Sequence, residues 1–238
     1  MGGSIMARGA FTTGNYLAST TCPISSYPYS ISAWGRTTTA AVNQVIACIA
    51  YGAGSVEYTL LQFSSGNNAA FIVRNTAQGT ATSSTSNSTN TWHHVLGVAT
   101  NSTLRAVYLD GVGKGTDATS VTHSANIDNV GIGVLTRSSK ASPITGYVAE
   151  VGIWSAALTD ADAVLLAAGT SPLMVNRANL VAYFPCGGSY PVSTGAELDV
   201  FGSLSAAETG TVGTFAHNII IPDNSLRLHP GMTGGMNG

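Results

Sequence analysis

An all-β fold, two antiparallel sheets stacked as a sandwich, is what this sequence predicts, and three observations carry it. Runs that alternate apolar and polar residues recur every ten to fifteen positions or so. The segments between them are rich in Gly, Asn, Ser and Thr, which build tight turns and suit helices poorly. Only one segment, residues 159–169, carries the start and stop signals of a helix. The chain has 238 residues, enough to bury a sizeable core without staples.

The elements follow in order. "YSISAWG" (29–35) alternates, with Ile31 and Ala33 on one side and Ser30, Ser32 and Trp34 on the other. "QVIACIAY" (44–51) and "VEYTLLQF" (56–63) flank "GAGS" and form a hairpin. "AAFIVRN" (69–75) follows the turn "SSGNN". Residues 79–91 are low in complexity and rich in threonine, which fits a solvated edge strand plus a turn, or a mobile loop. "VGIGVL" (130–135) and "GYVAEVGIW" (146–154) are strands. In "TDADAVLLAAG", Thr159 is the N-cap, Asp160 and Asp162 sit in the first turn and Gly169 is the stop, with Val164, Leu165 and Leu166 as the apolar face. "LVAYFP" (180–185) resumes strand. The organisation expected is a leader over 1–7, a sandwich domain over 8–215 and an extended tail over 216–238.

Composition excludes several functions. Charged residues make up 8% of the chain and the net charge is −2, so no basic face is expected for nucleic acid or an anionic membrane surface. No apolar run approaches the roughly 20 residues that span a bilayer. A surface of hydroxyls and amides docks on a partner at little desolvation cost, which points to life in an assembly. Cys22, Cys48 and Cys186 are odd in number without CxxC spacing, so they are expected as free buried thiols. Residues 1–19 lack a long apolar core behind a basic start, so a cytoplasmic origin is expected.

"NTWHHVLGVATNSTLRAVYLDG" (90–111) places two histidines side by side. On a strand Trp92, His94, Leu96 and Val98 share one face, and His93, Val95, Gly97 and Ala99 the other. The two imidazoles cannot converge on one ion, and no further ligands lie near. The stretch instead makes a hairpin, with Tyr108 and Leu109 packing on opposite sides.

In order along the chain, "NTWHHVLGVAT", "LRAVYLDG", "VGIG", "ITGYVAEVGIWSAALTDADAVLLAAG" and "LVAYFP" resemble the laminin-G-like, concanavalin-A-like jelly-roll family. The resemblance covers roughly residues 8–185 and implies a two-sheet antiparallel jelly-roll sandwich. "ARGAFTTGNYLAS" and "SPLMVNRANLVAYFP" are similar to short stand-alone members among tailed-phage virion proteins. Two departures stand out: Ala149 precedes Glu150 where many members carry an acid, and Cys186, Gly187 and Gly188 replace acids after the last strand. Both weaken the case for the calcium site some relatives use.

The resulting expectation is a non-enzymatic virion structural protein, a capsid decoration or accessory protein. It would dock on a phage shell through protein–protein contacts, as a homo-oligomer and first of all a trimer, in virions assembled in the host cytoplasm. Ile219, Ile220, Ile221, Arg227 and His229 in the tail are the partner-contact candidates. The alternative is a lectin-like carbohydrate-binding module for surface attachment. Its ligand loop would be "THSANIDN" (122–129), with His123, Asn126 and Asp128. No cofactor is expected; calcium at that loop stays open, although six oxygen ligands cannot be named. No catalytic residue is assigned, because Glu57 and Glu150 stand alone on their strands whereas retaining glycosidases need paired carboxyls. Trp34, Trp92 and Trp154 lie within predicted strands and are expected in the core.

Overall fold

The computed structural model describes residues 6–186, 197–198 and 204–216. Along the chain run β1 (Met6–Gly9), β2 (Tyr16–Ser19), β3 (Tyr29–Thr37), β4 (Gln44–Ala50), β5 (Tyr58–Phe63), β6 (Asn68–Arg74), β7 (Gln78–Ser86) and β8 (His93–Asn101). Then come β9 (Leu104–Leu109), β10 (Gly115–Asp117), β11 (Asn129–Ile132), β12 (Gly146–Trp154), α1 (Asp160–Ala167), β13 (Leu180–Phe184), β14 (Glu197–Leu198), β15 (Ser205–Thr209) and β16 (Gly213–Ala216). Sheet A has the order β10-β9-β8-β3-β12-β1-β16, with β13 also on β12. Sheet B has the order β14-β15-β2-β11-β4-β5-β6-β7. Every ladder between named strands is antiparallel, as expected for a jelly-roll sandwich. Residues 79–91 resolve into the sheet B edge strand β7 and a turn.

Alternation fills the space between the sheets. Tyr29, Ile31 and Ala33 of β3, Leu61 and Phe63 of β5, Phe71 and Val73 of β6, and Val95 and Ala99 of β8 all pack there. Each fully buried Leu, Ile, Val or Phe contributes about 1.5–3 kcal/mol by leaving water. Where β6 faces β8, the Phe71 ring fills the space over Gly97, and a Cβ there would lie 2.1 Å from the ring. At one side β10 lies against β7, where a Cβ on Gly115 would meet the Thr82 carbonyl oxygen at 1.7 Å. Fully buried arginines close both ends. Arg105 pairs with Asp117 and donates to Ser102 O (3.0 Å) and Thr119 O (2.7 Å). Arg8 donates to Val212 O (3.1 Å) and pairs with Glu208 at 3.4 Å.

A second apolar cluster covers part of the outer face of sheet A. Leu96, Val98, Tyr108 and Trp154 pack there against Ala163 and Leu166 of α1. Thr159 caps this helix in a reciprocal capping box with Asp162. The sequence assigned its apolar face to Val164, Leu165 and Leu166, but only Ala163 and Leu166 are buried. Three consecutive residues cannot share a helix face; i and i+3 can. Of the tryptophans only Trp154 is core, its indole N–H donating to Val175 O at 2.9 Å. Trp34 and Trp92 are half-buried on the outer side, a correction that follows from the alternation of β3 and β8.

Glu150 sits in β12 with φ +54, inside a register break between Ala149 and Gly152. On one side of the break β12 pairs with β1, on the other with β13. The bulge thus passes one strand between two neighbours, and the Tyr183 hydroxyl donates to the Glu150 carboxylate. Met6 and Ala7, assigned to the leader by the sequence, pair with Ala216 and Phe215.

Gly97→Ala should destabilise the fold by about 1–3 kcal/mol in urea unfolding. Because Phe71 is the obstacle, Gly97→Ala with Phe71→Leu should cost less than the two single changes summed.

Candidate functional site

The outer face of sheet B is where polar side chains gather over an open floor. Cross-strand register lays out one row of small and apolar residues: Ala207, Ala18, Gly131, Cys48, Leu60, Ile72 and Thr80. The neighbouring row reads Asn129, Ala50, Tyr58, Arg74 and Gln78. A strap, residues 133–143, crosses this face. Gly133, at φ +79, turns the chain out of β11, and Leu135 and Ala141 pack on Val45, Cys48 and Leu60. Thr136 rests on Gly131, where a Cβ would lie 2.4 Å away.

Beside the strap runs a groove of about 310 Å³. Ala18 and Ala207 form its floor, with Tyr16, Thr20 and Thr209 from the same strands and the turn after β2. The strap contributes Thr136 and Lys140, and the far end is closed by Gly52, Asp128 and Asn129. The polar groups are held in place. Asp128 Oδ1 accepts from the Gly52 N–H at 2.8 Å and from Asn129 Nδ2 at 3.0 Å, and the Thr136 hydroxyl donates to Asn129 Oδ1. Lys140 donates to Arg137 O at 2.9 Å while its ammonium lies 5.8 Å from the Tyr16 ring centre. A pre-set carboxylate, ammonium, amide, several hydroxyls and one aromatic ring over a flat floor suit a polyhydroxylated ligand.

The side chains of the predicted ligand loop do not converge. Asp128 reaches the groove, but Asn126 donates instead to Glu57 Oε1 (2.8 Å), which also accepts from Ser124 (2.7 Å). His123 turns inward, edge-on to Tyr27 and Tyr29 with ring centres 5.7 and 5.5 Å away, and burial pushes its pKa down. The loop wraps the rim, so its side chains leave in different directions. Among the described residues no three His, Cys, Asp or Glu side chains gather to hold an ion, so the calcium expectation gains no ligand set. Ile219, Ile220, Ile221, Arg227 and His229 lie outside the described residues. Sequence reasoning missed Tyr16, Thr136 and Lys140; the one visible signal was the pair of cations, Arg137 and Lys140, just after "VGIGVL".

The two histidines divide as the alternation requires. His93 faces Phe63, and its Nδ1 bonds Asp110 Oδ2 at 2.7 Å. His94 faces outward beside Trp34 and bonds Ser32 through Nε2 at 2.8 Å. Ser88 Oγ lies 3.1 Å from His93 Nε2, so Ser88, His93 and Asp110 have the connectivity of a charge-relay triad. Yet that nitrogen also accepts the Ser88 N–H at 3.0 Å, which occupies the lone pair a general base would use. The unit ties a turn to the β9 end, with Asp110 Oδ1 accepting from the His94 N–H at 2.9 Å.

A family model described as concanavalin A-like lectin/glucanases superfamily, of the laminin-G type, matches residues 11–163. The chain belongs to that superfamily. A search of curated protein sequences gives no match. Among solved structures, this superfamily member is similar to a candidate carbohydrate binding protein from Bacteroides ovatus. The TM-score is 0.67 and the identity 18%, over 92% of this chain and 62% of that one, so this chain spans about 62% of its length. The native heptameric SAP-like pentraxin of Limulus polyphemus gives a TM-score of 0.61 at 15% identity, over 90% and 96% of the two chains. The Ruminococcus gnavus IT-sialidase CBM40 bound to α2,3-sialyllactose gives 0.54 at 14% identity, over 69% and 100%. These likenesses establish the fold.

Two groups here give the superfamily member a defined pH response. Burial takes the His94 pKa from 6.5 down to about 3, opposed by the nearby Asp110 charge. Burial also raises the Asp110 pKa, but the hydrogen bonds from His93 and the His94 N–H outweigh it and hold the carboxyl below the usual range. For both, the unfolded chain binds the proton more readily, so stability is full above the unfolded pKa and falls with pH. Urea unfolding should show the loss beginning below pH 6.5, and His94→Gln should flatten the slope between 6.5 and about 3. Asp110→Asn should remove a further loss at more acid pH. A slope that neither substitution changes would exclude both groups as its source.

Proposed function

We propose that this chain is a carbohydrate-binding module without catalysis of its own, and that the groove beside the strap holds the sugar. The observation that carries it is the lining: hydroxyls, an amide, a carboxylate and an ammonium, mutually fixed, around the Tyr16 ring and an alanine floor. Sugars present apolar ring faces edged by hydroxyls, and this lining matches both. Asp128 is the one carboxylate lining the groove among the described residues, whereas glycosidases work with two. The likeness to a candidate carbohydrate binding protein and to a CBM40 bound to sialyllactose supports this reading over the virion one.

Docking on a partner protein, the virion reading included, keeps one observation in its favour. Val164, Leu165, Met174 and Val112 are exposed apolar residues on the helix side of sheet A. Native mass and co-sedimentation with particles test it; a monomer that stays in the supernatant would remove it.

On a glycan array the full chain should bind saturably. Tyr16→Ala should weaken binding about tenfold, the loss expected from one aromatic contact of about 1.5 kcal/mol. Ala18→Trp should block the groove while leaving the thermal melt in place. Unchanged affinity in both variants would move the site elsewhere.

A further inference from the structure

Three cations stand on the same outer face of sheet B without a carboxylate partner. Arg74 ends β6, and Arg137 and Lys140 belong to the strap. Arg8, His93, Arg105 and Lys114 pair with acids, whereas none of these three is within ion-pair distance of a carboxylate among the described residues. They account for a third of the chain's nine Lys and Arg, in a protein of net charge −2.

Two of them share one ring. The Arg74 guanidinium carbon lies 5.8 Å from the Tyr58 ring centre and that of Arg137 lies 6.0 Å from it. Arg74 Nη1 donates to the Tyr58 hydroxyl at 3.1 Å. Arg137 is anchored through Nη1 to Ser55 O (2.7 Å) and through Nε to Ser139 O (3.3 Å). Both side chains are half-buried, so their like charges are less screened than on an open surface. The nearest acid in sequence, Glu57, is engaged by Ser124 and Asn126, and Asp128 by Gly52 and Asn129. No ion pair ties either guanidinium to a carboxylate, so the two like charges about one ring favour the arrival of an anion. Planar guanidiniums match an oxyanion in bidentate fashion.

We propose that Arg74, Arg137 and Tyr58 form an anion subsite, and that the glycan this protein takes is acidic, carrying a carboxylate or a sulfate ester. This rests on the carbohydrate reading and gives it a charge. The oxyanion lies on the arginine side of the strap, and the sugar it belongs to extends toward Lys140, whose backbone-anchored ammonium links the subsite to the groove.

The test is a glycan array that pairs neutral glycans with their uronate-, sialate- and sulfate-bearing counterparts, probed with the full chain at low and at high salt. The acidic members should bind about tenfold or more tighter, and added salt should shrink the margin. Arg74→Gln with Arg137→Gln should abolish the margin between acidic and neutral members. Should the double variant lose its melt, Arg74→Gln alone, which spares the strap anchors, should reduce the margin at least threefold. The sulfate and carboxylate arms distinguish the two sources of the oxyanion. Equal binding of neutral and acidic members by the wild type would overturn the anion subsite and leave the carbohydrate reading standing. Binding of neither would overturn both. A margin that survives in a folded arginine variant would assign the anion to other residues.

Discussion

The contact of the Phe71 ring with Gly97 governs much else in this molecule. It sets the packing between the sheets where β6 faces β8, and a single added carbon atom there has no room. Among the described residues, aliphatic and aromatic side chains interlock between the sheets and fill that space. The groove and the arginine pair both lie outside that core, on the outer face of sheet B.

The two outer faces are treated differently. On sheet A, α1 and the segments around it cover Leu96, Tyr108 and Trp154 with a second apolar layer. On sheet B the covering among the described residues is the strap, with a groove on one side and an arginine-flanked tyrosine on the other. The half-buried Tyr16 ring, fixed hydroxyls and cations outside any ion pair occur together on that side. The binding role proposed for this face rests on that inventory: the fixed groups are hydrogen-bonded to one another, and Asp128 is the one carboxylate lining the groove among the described residues.

Long alternating strands were legible directly. Tyr29, Ile31 and Ala33 against Ser30, Ser32 and Trp34 is a period of two that no helix tolerates, and the opposite facing of His93 and His94 follows from the same rule. Strands β1, β2, β10, β15 and β16 have three to five residues each, too few for a period to emerge from turn-like composition. The helix was located by its cap and stop, yet its buried face was misjudged because apolar residues on its solvent side outnumber those inside. The groove was least legible. Tyr16, Gly52, Asp128, Thr136, Lys140 and Ala207 lie far apart in the chain, and only the ladder order β15-β2-β11-β4 brings them together. Asp128 was found because its loop is rich in amides, and the remainder needed the register.

The pairing of β1 with β16 has a mechanical meaning. Met6 stands opposite Ala216 and Gly9 opposite Gly213, so the outermost rung joins the two residues where the strands enter and leave. Tension applied at those two points would load one rung at a time and peel the ladder like a zip, whereas shear would strain all its rungs together. The sandwich would yield first at this seam under small forces, while the strap and its tyrosines, on the other sheet, stayed in place.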